Sequence, residues 1–117
     1  MQKIILDTDF LLCSLRFRID LFSELRRIID DNFEVYILDK TLEELKGKKD
    51  ARLALEYSKK LKIINAAKQG SFDDLITDFK DYIIATQDKV LKEKLKKAGF
   101  GIITIRQKRY LIKENVL

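Results

Sequence analysis

In the run "KIILDTDFLLC", two carboxylates interrupt apolar sequence: Asp7 closes a segment that reads as a buried strand, and Asp9 opens one that reads as an apolar helix. A carboxylate set beside a core is costly unless a partner offsets it, and the nearest arginine, Arg16, lies seven residues beyond Asp9. Acids recur at comparable places, with Glu43 and Glu44 after "FEVYIL", Asp73 and Asp74 in "SFDDLI", and Asp88 after "YIIAT". The chain has no histidine. That excludes histidine general bases, Ser-His triads and His-ligated zinc, so its chemistry must use carboxylates, hydroxyls, lysines or a hard metal ion.

The elements that position these acids follow from apolar periodicity. Buried strands are expected at 3–6, 33–38, 62–65, 82–86 and 101–106. Helices are expected over 9–17, 20–30, from Thr41 to Gly47, and over 50–61, 71–80 and 88–99. Strands alternating with helices give an α/β fold, a mostly parallel five-stranded sheet covered on both faces. Ligands of such sheets bind beyond the carboxyl ends of the strands, where strand order reverses, and several of the acids fall at those ends. Each acid also has a structural role open to it. Thr41 and Glu44 fit a capping box, as do Ser71 and Asp74, while Asp88 and Asp9 stand where N-caps belong. Asp7 is the exception, because it follows the strand directly and Thr8 or Asp9 can cap the helix.

At 117 residues, 46% hydrophobic and 37% charged, the chain reads as one globular domain over 1–117. A lone Cys13 excludes a disulfide framework and points to a reducing cytoplasm. The first residues show no signal-peptide pattern, and no apolar run nears the roughly 18 residues that would span a bilayer, so no membrane association is expected. Charge is uneven. Residues 88–117 carry nine Lys or Arg against three acids, while residues 1–87 carry fifteen against sixteen. A basic end on a near-neutral body favours a polyanionic partner.

Taken together, "KIILDTDFLL", "LDKTLEELK", "SFDDLI" and "IIATQDKVLKEKL" resemble the PIN domain, in order and spacing over nearly the whole chain. The family pattern has an Asp ending the first strand, a Glu before Leu in the helix after the second, an Asp opening a later helix, and Thr-x-Asp after the fourth. These map onto Asp7, Glu44, Asp74, and Thr86 with Asp88. The chain departs from the pattern at Asp9, where Ser, Thr or Asn is usual. The resemblance implies a three-layer α/β/α fold and a divalent-metal-dependent endoribonuclease. In that reading Asp7, Asp9, Glu44, Asp74 and Asp88 gather around Mg²⁺ or Mn²⁺, and Thr86 positions a water or a ligand carboxylate. Small archaeal proteins of this type are similar to VapC toxins, which implies an antitoxin partner. They are also similar to nucleases that process ribosomal RNA, which implies a ribosome-assembly partner, and an inactive RNA-binding PIN module is a third reading. RNA is the expected substrate, its backbone guided by Arg16, Arg18, Lys92, Lys96, Arg106, Lys108 and Arg109. The apolar helices around 20–30 and 50–61, with the pairing usual in the family, imply a two-fold homodimer, which a light-scattering mass would check.

Overall fold

Strand side chains alternate between faces, so "KIIL" sends Ile4 and Leu6 into one core and Ile5 into another, all three fully buried. This strand is β1 (Gln2–Leu6) of the computed structural model, which describes residues 1–49, 51–66 and 69–115. Burial on both faces explains why the run is apolar throughout instead of alternating with polar residues. There follow α1 (Thr8–Arg16), α2 (Leu21–Ile28), β2 (Phe33–Leu38), α3 (Asp39–Lys46), α4 (Arg52–Ser58) and β3 (Lys62–Ile64). The second half supplies α5 (Phe72–Ile76), β4 (Ile83–Ala85), α6 (Lys89–Lys97), β5 (Ile102–Arg106) and β6 (Tyr110–Glu114).

The sheet order is β3-β2-β1-β4-β5-β6. The first five strands in chain order pair in parallel, and β6 returns antiparallel to β5. The chain thus builds outward from β1 to one edge and then from β4 to the other. Strand order reverses between β1 and β4, and an α/β sheet opens its binding crevice beyond the ends of such a pair. One core packs Phe10, Leu11, Leu21, Leu25, Leu45 and Ala54, from α1 to α4, against Ile4 and Leu6. The other packs Phe72, Leu75, Ile76, Leu91 and Leu95, from α5 and α6, against Ile5. Each fully buried Leu or Ile contributes roughly 1.5–3 kcal/mol relative to exposure. The expected three-layer α/β/α architecture is present, with a sixth strand added.

That sixth strand departs from the sequence reading for an identifiable reason. The hairpin loop Gln107–Arg109 carries no Gly or Asn, yet Gln107 and Lys108 adopt φ of 53° and 56°, values that short hairpins usually give to Asn-Gly. Tertiary contacts hold the strand in place. Leu111 enters the first core, Glu24 Oε1 accepts its N–H at 2.9 Å, and Arg27 donates to its carbonyl at 2.7 Å. The α2 pair thereby satisfies backbone groups of an edge strand that would otherwise invite pairing with another chain.

The helix boundaries hold one correction. The Thr41–Glu44 capping box does not form, because α3 begins at Asp39, two residues early, with Leu38 at the N-cap position and no side-chain cap. Thr41 is instead buried within the helix, where its hydroxyl accepts from Thr8 Oγ1 at 3.2 Å. The Ser71–Asp74 box does form, on a helix of five residues and not the expected ten. Within the expected 50–61 helix, α4 occupies Arg52–Ser58, and Asp50 lies outside the described residues. Among the described residues no helix is long and apolar enough to cross a membrane.

Candidate active site

Asp7 stands at the reversal point because β1 and β4 continue their pairing by one hydrogen bond, from Asp7 N–H to the Ala85 carbonyl at 2.9 Å. The Asp7 carbonyl then accepts Leu11 N–H at 3.0 Å, and α1 begins. Asp7 occupies the N-cap position without making a side-chain cap. Its Oδ2 accepts instead from Thr86 Oγ1 at 2.9 Å, across 79 positions of sequence. Thr86 is fully buried, and its hydroxyl in turn accepts Asp88 N–H at 3.2 Å. With one lone pair engaged by that backbone donor, the hydroxyl proton is left to point at Asp7. The partner of the stranded carboxylate is therefore a threonine, not an arginine. Burial pushes the Asp7 carboxyl up to about 6 against the Thr86 hydrogen bond, and the charges of Asp9 and then Asp73 push the same way.

The Thr86–Asp88 segment is fixed by a residue that the sequence reading passed over. Gln87 Oε1 accepts both the Thr104 hydroxyl and Ile105 N–H at 2.6 Å, so a side chain splices the end of β4 to β5. No local pattern marks Gln87, since its partners lie on a strand that follows a helix. Asp88 caps α6 through Oδ1 alone, which accepts Val90 and Leu91 N–H. A cavity of about 600 Å³ opens here, lined by Asp7, Asp9 and Asp88, by Arg16, Lys48 and Lys49, and by Leu12, Cys13 and Gln87. Asp9 pairs with Lys48 at 3.4 Å on its rim. The acids offer only oxygen donors, the set that hard divalent cations prefer, and a carboxylate raised first by burial and then by charges of its own sign is one that a cation would relieve.

The PIN like domain family matches residues 4–108. The chain belongs to the PIN domain family. Ribonuclease VapC4 of Methanocaldococcus jannaschii is 32% identical to it, over 94% of this chain and 95% of that protein. The solved structure of the PIN domain endonuclease Utp24 superposes with a TM-score of 0.85 at 27% identity, covering 98% of this chain and 92% of that one.

In this PIN domain the remaining acids are not drawn into one cluster. Among the described residues no three His, Cys, Asp or Glu side chains stand close enough to form a ready-made metal group. Of the expected set, Asp7, Asp9 and Asp88 share the cavity, and each carboxylate has a partner of its own: Thr86, Lys48 and the first N–H groups of α6. Asp74 Oδ2 accepts from both the hydroxyl and the N–H of Ser71, and those bonds hold its carboxyl below the usual range. It is Asp73, one residue earlier and half-buried, whose charge reaches Asp7. Glu44 is half-buried within α3, three residues on from Thr41. Glu43 lines a separate small cavity with Asp39 and Lys40.

The basic residues divide by edge. Arg16 lines the cavity. Arg18 follows in the exposed turn after α1, at φ 56°. Arg106, Lys108 and Arg109 sit at the carboxyl end of β5, on the site's edge of the sheet, with Lys108 Nζ 5.7 Å from the Phe17 ring centre. Lys92 reaches back to Thr104 Oγ1 at 3.4 Å. Lys96 lies elsewhere. It pairs with Glu114, which sits opposite Ile102 at the start of β5 and so at the far edge. Lys48 and Lys49 were missed, their only signal being the "GKKD" turn after α3.

Proposed function

We propose that this PIN domain is a divalent-metal-dependent endoribonuclease that hydrolyses RNA phosphodiester bonds in the Asp7 cavity. The observation that carries the reading is Asp7 itself, a carboxylate held by Thr86 at the reversal of strand order and raised to about 6 by burial and neighbouring acids. Its support is the family membership, together with a relative named as a ribonuclease and a structural neighbour named as an endonuclease. Asp7 would hold Mg²⁺ or Mn²⁺ with Asp88, Asp9 and Glu44 beside it. The ion would supply charge stabilisation on the phosphate and a water of lowered pKa. Thr86 keeps the Asp7 carboxylate oriented through the hydroxyl that Asp88 N–H fixes. Arg16 and the hairpin cations Arg106, Lys108 and Arg109 would track the RNA backbone, contacts that position a strand without reading its sequence.

The test is cleavage of RNA by chelator-treated protein with and without Mn²⁺ or Mg²⁺. Metal-dependent cutting is expected, and binding without cutting under every metal would leave an RNA-binding module in its place. The likeness to Ribonuclease VapC4 favours a toxin with an antitoxin partner, acting in the cytoplasm. On that reading induced expression arrests growth. The likeness to Utp24 favours ribosomal-RNA processing in a larger assembly, where a precursor RNA is cut at defined positions instead.

The resemblance gives a site role to Asp74, whereas Asp73 is the one of this pair whose charge acts on Asp7. Asp73→Asn removes a charge acting on Asp7, so its carboxyl should titrate below about 6, and cleavage should fall. Asp74→Asn removes a capping carboxylate, so it should lower the melting temperature and leave the Asp7 titration in place. NMR titration of the Asp7 carboxyl carbon in metal-free protein separates the two. Equal shifts in both variants would return Asp74 to the site.

A further inference from the structure

We infer that Lys48 is a phosphate-positioning residue of this cavity, held against Asp9 until a nucleic-acid strand enters. The inference rests on the ribonuclease reading and deepens it. The cavity carries both signs of charge, with Asp7 and Asp88 at the ends of β1 and β4, and Arg16, Lys48 and Lys49 with Asp9 along α1 and after α3. A metal-bearing acid wall takes hold of a phosphodiester from one side only, so an anion bridging the cavity needs cations on the other.

Lys48 meets that need by its placement. Its N–H donates to the Leu45 carbonyl at 3.2 Å and Gly47 N–H to the Glu44 carbonyl at 3.2 Å, so the end of α3 fixes the backbone that carries it. The head group is held far less firmly. Its one partner among the described residues is Asp9 at 3.4 Å, with side chains 45% and 74% exposed, and exposed pairs of this length contribute little. A phosphate lying in the cavity is less hydrated than Asp9 on the rim, and charge pairs strengthen as water is excluded. Lys48 should therefore exchange Asp9 for phosphate. The exchange also frees Asp9, which holds the lysine at the cavity when no strand is bound.

The experiment is equilibrium binding of a fluorescein-labelled single-stranded RNA oligonucleotide in EDTA, across a salt series, followed by steady-state cleavage with Mn²⁺. For Lys48→Gln the affinity should fall roughly five- to tenfold near about 50 mM salt, with the log–log salt slope flatter by about 0.7. KM should rise more than kcat falls. Lys48→Arg should restore the slope, because the charge is kept. Asp9→Asn should bind RNA at least as tightly as wild type in EDTA, since it releases Lys48 and removes a repelling charge. If the pair serves only to tie the turn to α1, Asp9→Asn and Lys48→Gln should lose affinity together and Lys48→Arg need not rescue; that result overturns the inference. So does a Lys48→Gln protein that matches wild type at every salt while wild type still cuts RNA. A wild-type protein that neither binds nor cuts the oligonucleotide overturns the inference and the ribonuclease reading together.

Discussion

Asp7→Asn is expected to lower RNA cleavage on the order of 10²–10³-fold or more, the range seen when one preorganised electrostatic contact to a developing charge is removed. The same substitution should make the metal-free protein more stable at neutral pH. The Asp7 carboxyl lies at about 6 in the folded chain against 3.8 for the free group, with burial the largest cause. Between those values the folded state binds more protons than the unfolded one, so stability falls as pH rises through the window. Below about 4 both states hold the proton and the penalty vanishes; above about 6 it is present in full. A rise of that size corresponds to about 3 kcal/mol, and Asn, which carries no charge, should recover most of it at pH 7. Chemical denaturation at several pH values checks this, with the stability of the variant relative to wild type rising from about pH 4 to 6. A variant that loses both activity and stability would make Asp7 a structural residue. The opposed signs, less activity and more stability, are what mark a carboxylate kept for chemistry.

Saturating Mn²⁺ or Mg²⁺ should raise the melting temperature of chelator-treated protein, through binding to the native state alone. A ligand at about a hundred times its dissociation constant contributes about 2.7 kcal/mol, which for a domain of this size is roughly 10 °C. Protons compete with the ion for Asp7, so the gain should shrink as pH falls below about 6. Asp7→Asn should remove most of it. Asp74→Asn should keep it, because that carboxylate is committed to Ser71. Calcium, with looser and longer coordination, should stabilise yet support less cleavage. A melting point indifferent to millimolar metal, or a gain of equal size in Asp7→Asn, would remove the metal from the proposed site.

Much of the fold was legible along the chain because its signals are local. The apolar runs at 3–6, 33–38 and 101–106 became β1, β2 and β5 within a residue or so. The Ser71–Asp74 box and the Asp88 cap also formed as their spacing implies. What failed was register around helix axes. A helix turns about 100° per residue, so starting α3 at Asp39 instead of near Thr41 carries Thr41 from a cap into the core. Beside Ser71, Asp74 is held by its cap, while the acids whose charge acts on Asp7 are Asp9 and then Asp73. β6 was illegible because its turn lacks the usual residues and its hold comes from α2, more than eighty positions away in sequence.

By itself the sequence determined the α/β class, the missing histidine and the strand-end acids, Asp7 foremost. It also held, in motifs spread over nearly the whole chain, the likeness to the PIN family that the match over residues 4–108 bears out. Composition and short-range periodicity suffice for the class and the strand-end acids, since each depends on residues within a turn or a strand of one another; the family likeness rests on the order and spacing of the motifs. Only the tertiary structure decided that the partner of Asp7 is Thr86, that Gln87 locks that threonine's segment to β5, and that Lys48 and not Lys96 belongs to the cavity. Those pairings join segments brought together by parallel crossovers, and a crossover sets its register by packing two cores at once. No local spacing can carry that information.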